Sequence, residues 1–141
     1  MSSNINEILE NNFETMEELF NELMDYSMAK GSEKGYKGLN TIEQKLFIVG
    51  TFLNEVSNGG LEQYFTITNG QYAKETIKFL NSIEEANFLE ILTEAYSIYR
   101  SDMDEEEQYE ALEELDIDFF NLDREYNKLY EKFIKYVKET I

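Results

Sequence analysis

Apolar residues return every three or four positions along most of this chain, and almost nowhere every second position. The first series is Ile5, Ile8, Leu9, Phe13, Met16, Leu19, Phe20 and Leu23. At about 100° per residue it fills one face and predicts a helix from Asn4 to Ala29. The stretch from Lys30 to Gly38 is glycine-rich and locally basic and ends that helix in a loop. A second helix starts at Asn40 or Thr41, where Thr41-Ile42-Glu43-Gln44 reads as a capping box. Its buried side is Ile42, Leu46, Phe47, Val49, Leu53 and Val56, and Asn58-Gly59-Gly60 breaks it. Leu61 to Phe65 gives a further helical turn. After Asn69-Gly70 the spacing predicts a helix over Tyr72–Leu80, with Ala73, Ile77 and Leu80 inward. Ser82-Ile83-Glu84-Glu85 reads as another capping box, starting a helix to Tyr99 on Ile83, Ala86, Leu89, Leu92, Ala95, Tyr96 and Tyr99. Two more follow, over Asp104–Leu115 and Asp123–Thr140, the last buried through Tyr126, Leu129, Tyr130, Phe133 and Val137. Only Thr66-Ile67-Thr68 alternates in the manner of a strand.

The breakers agree. All seven glycines lie between residues 31 and 70, and there is no proline. From Gln71 to Ile141 the chain has neither, so that half reads as helices joined by short polar caps. The expected fold is all-α, a single-domain bundle of about six to seven helices spanning residues 1–141. Residues 1–39 supply an acidic helix and the glycine-rich loop. At 141 residues, 42% of them hydrophobic, the chain is long enough to bury a core without staples.

Charge changes the picture more than composition does. The formal net charge is −18, and it is not spread evenly. Residues 1–29 hold seven acids and no base: Glu7, Glu10, Glu14, Glu17, Glu18, Glu22 and Asp25. Residues 101–123 hold eleven acids and no base. These are Asp102, Asp104, Glu105, Glu106, Glu107, Glu110, Glu113 and Glu114, then Asp116, Asp118 and Asp123. Together they account for the whole excess. On a continuous first helix, Glu7 to Asp25 would be a rod of carboxylates about 27 Å long, lying opposite the apolar face. Acids at these spacings repel by about a few tenths of a kcal/mol per pair. A surface that grips phosphates with Lys and Arg could grip such an array through the same charge-assisted hydrogen bonds. A solvated acidic face is the plainer alternative. The same charge disfavours direct binding to nucleic acid or to an anionic membrane.

Catalytic chemistry has little to stand on. There is no Cys, His or Trp, so thiolate nucleophiles, Cys-based metal sites and the commonest general base are all missing. The serines have no His partner, and the glycine loop lacks the Gly-Lys-Ser/Thr of a phosphate-binding loop. Asp102, Asp104, Glu106 and Glu113 fall at positions 1, 3, 5 and 12 of a calcium-loop frame. Its sixth position, which needs glycine, is Glu107. No cofactor and no resident metal are expected. Stacking platforms come with basic grooves, whereas the Phe and Tyr rings here sit at core-like helical spacing, so they read as core. The N-terminus has neither a basic nor an apolar signal region, and no apolar run is long enough to span a bilayer, so a soluble cytoplasmic protein is expected.

The run Asn58-Gly59-Gly60-Leu61-Glu62-Gln63-Tyr64-Phe65 follows an amphipathic helix that ends near Glu55-Val56. It resembles the bacterial DNA-mimic protein family, which has an all-helical C-terminal domain. The next helix pair agrees, as does Leu115-Asp116-Ile117-Asp118-Phe119-Phe120 before the last helix, and the resemblance covers residues 40–140. Asn58, Gly59, Gly60, Gln63, Tyr64 and Phe65 read as structural. The glycine pair permits a left-handed turn and close backbone approach, and Asn58 can cap the short helix.

The resemblance implies a non-enzymatic protein whose acidic surface occupies the nucleic-acid-binding face of a basic DNA-binding protein such as a transcription regulator. It also implies a homodimer. It does not map partner contacts residue by residue. The candidate surface therefore rests on charge: the seven acids of residues 1–29, with Asp102, Asp104, Glu105, Glu106, Glu107, Glu110, Glu113 and Glu114. A toxin-neutralising or immunity-type binder that plugs a basic active site is the rival reading. An enzyme or calcium module stands third.

Overall fold

The computed structural model describes residues 3–141, with side chains from Ile5 onward. Met1 and Ser2, the first residues of the stretch read above as lacking a signal region, lie outside them. Among the described residues seven α-helices run in chain order: α1 Ser3–Glu10, α2 Met16–Lys34, α3 Thr41–Thr68, α4 Ala73–Ser82, α5 Ala86–Tyr99, α6 Glu105–Phe120 and α7 Tyr126–Thr140. Short 3-10 turns at Tyr36–Gly38 and Asp123–Glu125 lead into α3 and α7. No strand occurs among the described residues, Thr66–Thr68 being the end of α3. The fold is all-α, as the periodicity predicts.

The single N-terminal helix does not form. Its apolar period runs on through residues 11–15, but the backbone breaks there. Thr15 is extended (φ −135°, ψ 158°) and its hydroxyl accepts from Glu18 N–H at 3.2 Å. The Glu18 carboxylate in turn accepts from Glu14 N–H at 3.3 Å. Asn11-Asn12 followed by Thr15-x-x-Glu18 was the legible start signal. Helix α2 then continues through Gly31, which the sequence suggested as a breaker. Gly31 is buried, and a Cβ there would lie 2.6 Å from the Phe47 ring. Gly50 plays the same part across the interface, where a Cβ would lie 2.6 Å from Met24. These glycines let α2 and α3 approach closely. The true stop is Gly35 (φ 78°), whose N–H bonds Gly31 O at 2.8 Å.

Helix α3 is the axis of the molecule. Leu46, Ile48, Val49, Phe52, Val56, Leu61, Tyr64 and Phe65 are all buried, as expected of a helix apolar all round. It packs on α2, α4 and α6, while α7 packs on α2 and α5 on both α4 and α6. One core runs from Ile5 to Val137. Phe20 meets Tyr130 and Phe133 in it, and Phe119 meets Phe52 and Phe88, in tilted and edge-on contacts.

The cap of α3 is shifted by one residue from the expected box. Asn40 is the cap, its side chain accepting from Glu43 N–H and its own N–H donating to Glu43 Oε1, both at 2.9 Å. Lys30 of α2 bonds both oxygens of the same buried carboxylate, at 2.8 and 3.0 Å. Burial pushes the Glu43 carboxyl up, but these hydrogen bonds outweigh it and hold the group below the ordinary range.

The second expected capping box is not one. Ser82 closes α4 and donates to Phe79 O at 2.6 Å. Glu84 adopts the left-handed conformation (φ 58°), and α5 begins only after Glu85. Ala86, expected inside, is exposed, and Phe88 and Ile91 take the buried positions instead. Helix α6 runs five residues past its expected end at Leu115, to Phe120.

Candidate partner-binding surface

Part of each acidic segment sits at a capped helix start, which accounts for some of the local density of acids. Glu17 and Glu18 occupy the first turn of α2 behind Thr15. Glu105, Glu106 and Glu107 occupy the first turn of α6 behind Asp104, whose carboxylate accepts from Glu107 N–H at 2.9 Å. Acids at these positions meet the positive end of the helix dipole, which offsets their mutual repulsion. Crowding still shows: the Asp104 carboxylate beside it pushes Glu107 above the ordinary carboxylate range.

Every acid of the candidate surface is exposed. Glu7 and Glu10 lie on α1, Glu14 in the break, and Glu17, Glu18, Glu22 and Asp25 on α2. Asp102 and Asp104 precede α6, which carries Glu105, Glu106, Glu107, Glu110, Glu113 and Glu114. The break at residues 11–15 divides the first group, so it is two short acidic faces rather than one continuous rod. Among the described residues the ion pairs are Lys30–Glu43, Lys45–Glu75, Lys128–Glu125 and Lys132–Glu85. None draws on either acidic segment. Helix α7, which carries Lys128, Lys132, Lys135 and Lys138, packs on α2. Glu17 lies close enough to Tyr130 of α7 to add to the effect of burial, which pushes that phenol up to about 12. Helices α2 and α6, which carry most of the two acidic groups, each pack on α3, whereas α1 packs on α2, and α2 and α6 are not principal packing partners of one another.

The glycine motif is a joint between α3 and α6. Gly60 alone inside α3 leaves the helical region, at φ 85° and ψ 178°. The freed Leu61 N–H donates to Asp116 Oδ1 of α6 at 2.8 Å. The cap of the second half of α3 is therefore Asp116, fifty-five residues away, and not Asn58, which is exposed. A Cβ on Gly60 would lie 2.6 Å from Asp116 Oδ2. Gln63 lies against Gly59 and donates to Glu55 Oε1 at 3.0 Å. Tyr64 is fully buried, and Phe65 stacks on Tyr99 with ring centroids 4.5 Å apart. The Asn-Gly-Gly and Leu-Asp-x-x-Phe-Phe segments thus meet in one hydrogen bond.

Residues 105–120 are helical, so most of the calcium-loop frame from Asp102 to Glu113 is helix, in line with the helix expected from Asp104. One further feature departs from expectation. The aromatic residues are not all core: Tyr109 and Phe120 are 49% and 50% exposed on α6, beside Ile117 at 63%. Sequence spacing missed these three because they lie next to true core positions, Leu112, Leu115 and Phe119.

No helix among the described residues is long and apolar enough to cross a membrane. No curated protein and no solved structure matches the chain. A family model described as DMP19-like protein matches residues 37–140, a span that holds the α3–α6 joint and all of α6 and leaves out α1 and α2. On that match, the chain belongs to the DMP19-like family of DNA-mimic proteins.

Proposed function

We propose that the protein is a non-enzymatic DNA mimic whose exposed carboxylates bind the nucleic-acid-binding face of a basic protein, such as a transcription regulator, in the cytoplasm. The observation that carries this reading is the state of the charge. Every acid of the candidate surface is exposed, and neither acidic segment is drawn into an ion pair among the described residues. The field of about half the helices is therefore available to a partner. Such an array steers a cationic surface at long range and is screened by salt. The DMP19-like match supports the same reading.

The test is competition. A DNA-binding protein captured from the host at low salt is loaded on its own DNA site, and the acidic protein is titrated in. Release of the DNA is expected, with an affinity that falls steeply with salt and with Glu→Gln changes at Glu17, Glu22, Glu106 and Glu110. A partner that keeps its DNA, or a binding constant indifferent to salt, overturns the reading. Capture of a nuclease whose basic active site is closed instead would establish the toxin-neutralising alternative.

A further inference from the structure

The two acidic segments are chemically unlike. Across α1 and α2 the one large apolar side chain counted as exposed is Met16, at 40%. On α6 the acids surround Tyr109, Ile117 and Phe120. Ile117 and Phe120 are three residues apart and share a helix face, and Tyr109 lies about 12 Å up the axis from Ile117. An open depression of about 550 Å³ is lined by Glu110, Glu113, Glu114, Asp116, Ile117 and Phe120. A second, of about 260 Å³, shares Phe120, Glu113 and Asp116 with it and reaches Tyr109 and the Gly59-Gly60 turn. The Asp116–Leu61 hydrogen bond fixes this stretch of α6 against α3.

We infer that α6 is the anchoring part of the partner surface, and that it takes a basic helix or loop carrying an apolar side chain among its lysines and arginines. The inference rests on the binding function proposed above and names the chemistry of the partner at that site. A polyanion imitating phosphates needs no apolar group, because phosphate contacts are made by charge and hydrogen bonds. An apolar centre with a charged rim is instead the anatomy of a protein–protein hot spot. Arginine suits the site twice over: it pairs with the ring of carboxylates and lies flat on the Tyr109 and Phe120 faces. A second copy of this chain fits poorly, since Glu110, Glu113 and Glu114 would meet their own images. An anionic membrane is repelled by the same ring.

The test uses the whole protein and two synthetic peptides of equal positive charge. One is an amphipathic helix with leucines among its lysines and arginines, and the other has serine at each leucine. Binding is read by fluorescence anisotropy at low and physiological salt, with amide-exchange protection to locate the contact. The leucine peptide is expected to bind at least about tenfold more tightly, a step that two partly buried apolar side chains can supply. It should also protect residues 109–120. The double variant Ile117→Ser, Phe120→Ser should bring it down to the serine peptide's affinity and leave the serine peptide's own affinity unchanged. Both side chains are exposed, so folding is not at risk, and circular dichroism verifies this. Equal affinities for the two peptides, or a preference that survives the double variant, overturn the inference and leave the charge-based function standing. A wild-type dimer that the double variant dissolves overturns it in favour of a second copy. Failure of both peptides to bind even at low salt sinks the inference and the proposed function together.

Discussion

Replacing Gly60 by alanine tests the joint between α3 and α6. Two costs can be read from the geometry. The backbone at φ 85° and ψ 178° lies in a region essentially closed to side chains, which costs about 1–3 kcal/mol. The new Cβ would also stand 2.6 Å from Asp116 Oδ2, so the carboxylate must move and its 2.8 Å bond to Leu61 N–H is lost. A hydrogen bond to a charged group contributes about 1.5–3 kcal/mol. The sum is about 2.5–6 kcal/mol, a large share of the stability of a small domain. Gly35 supplies the control. Its backbone is similar, φ 78° and ψ 162°, but nothing lies within 4 Å of its would-be Cβ. Gly35→Ala should therefore show the conformational cost alone, about 1–3 kcal/mol. The measurement is urea unfolding followed by circular dichroism, reading midpoint and slope. In the pair Gly60→Ala and Asp116→Ala the losses should overlap, because both break the same bond. A Gly60→Ala loss no greater than that of Gly35→Ala, or strictly additive losses in the double variant, would refute the account of the joint.

Other expectations follow from buried charge. Burial, and to a lesser degree the charges of Glu113 and Glu62, hold Asp116 above the ordinary carboxylate range despite the Leu61 amide. Its folded pKa thus exceeds its unfolded one, so its contribution to stability declines as pH rises from about 4. Asp116→Asn keeps an acceptor and should flatten that slope in thermal melts without the loss seen for Asp116→Ala. Glu43 behaves oppositely: its depressed pKa gives stability present above about pH 4.3 and lost as pH falls below it. Lys30→Met leaves that carboxylate buried without its cation and should cost about 3 kcal/mol in urea unfolding. Glu85 is 1% exposed, its oxygens have no hydrogen-bond partner, and Lys132 stands 3.7 Å away. Glu85→Gln should therefore raise the unfolding midpoint, by about 1 kcal/mol of stability.

What the sequence made legible depended on whether the deciding neighbour was near in the chain. The all-α class, the break at Asn58–Gly60 and the turn at Asn69-Gly70 follow from local period and local breakers. So does the exposure of every acid on the candidate surface. The break between α1 and α2 was hidden because Leu9, Phe13 and Met16 keep the helical period across it. Gly31 misled because its reason is Phe47, sixteen residues on and on another helix. Asn58 was the local candidate to cap Leu61–Phe65, but Asp116 takes the bond, and nothing in either segment alone reveals that pairing. On α6 the spacing admits both Phe119 and Phe120 to the core; only packing against Phe52 and Phe88 shows which ring turns inward.

The clamp between Lys30 and Glu43 bears on how the chain can be cut. The family match begins at Lys37, which invites a shortened version starting there. That version would lose Phe20, Leu23 and Met24, which cover α3 and α7, and would strand a buried carboxylate with no cation beside it. Trimmed to the stretch its relatives share, the polypeptide should aggregate rather than fold. The N-terminal quarter is thus scaffolding for the rest, and a minimal fragment has to begin ahead of Thr15.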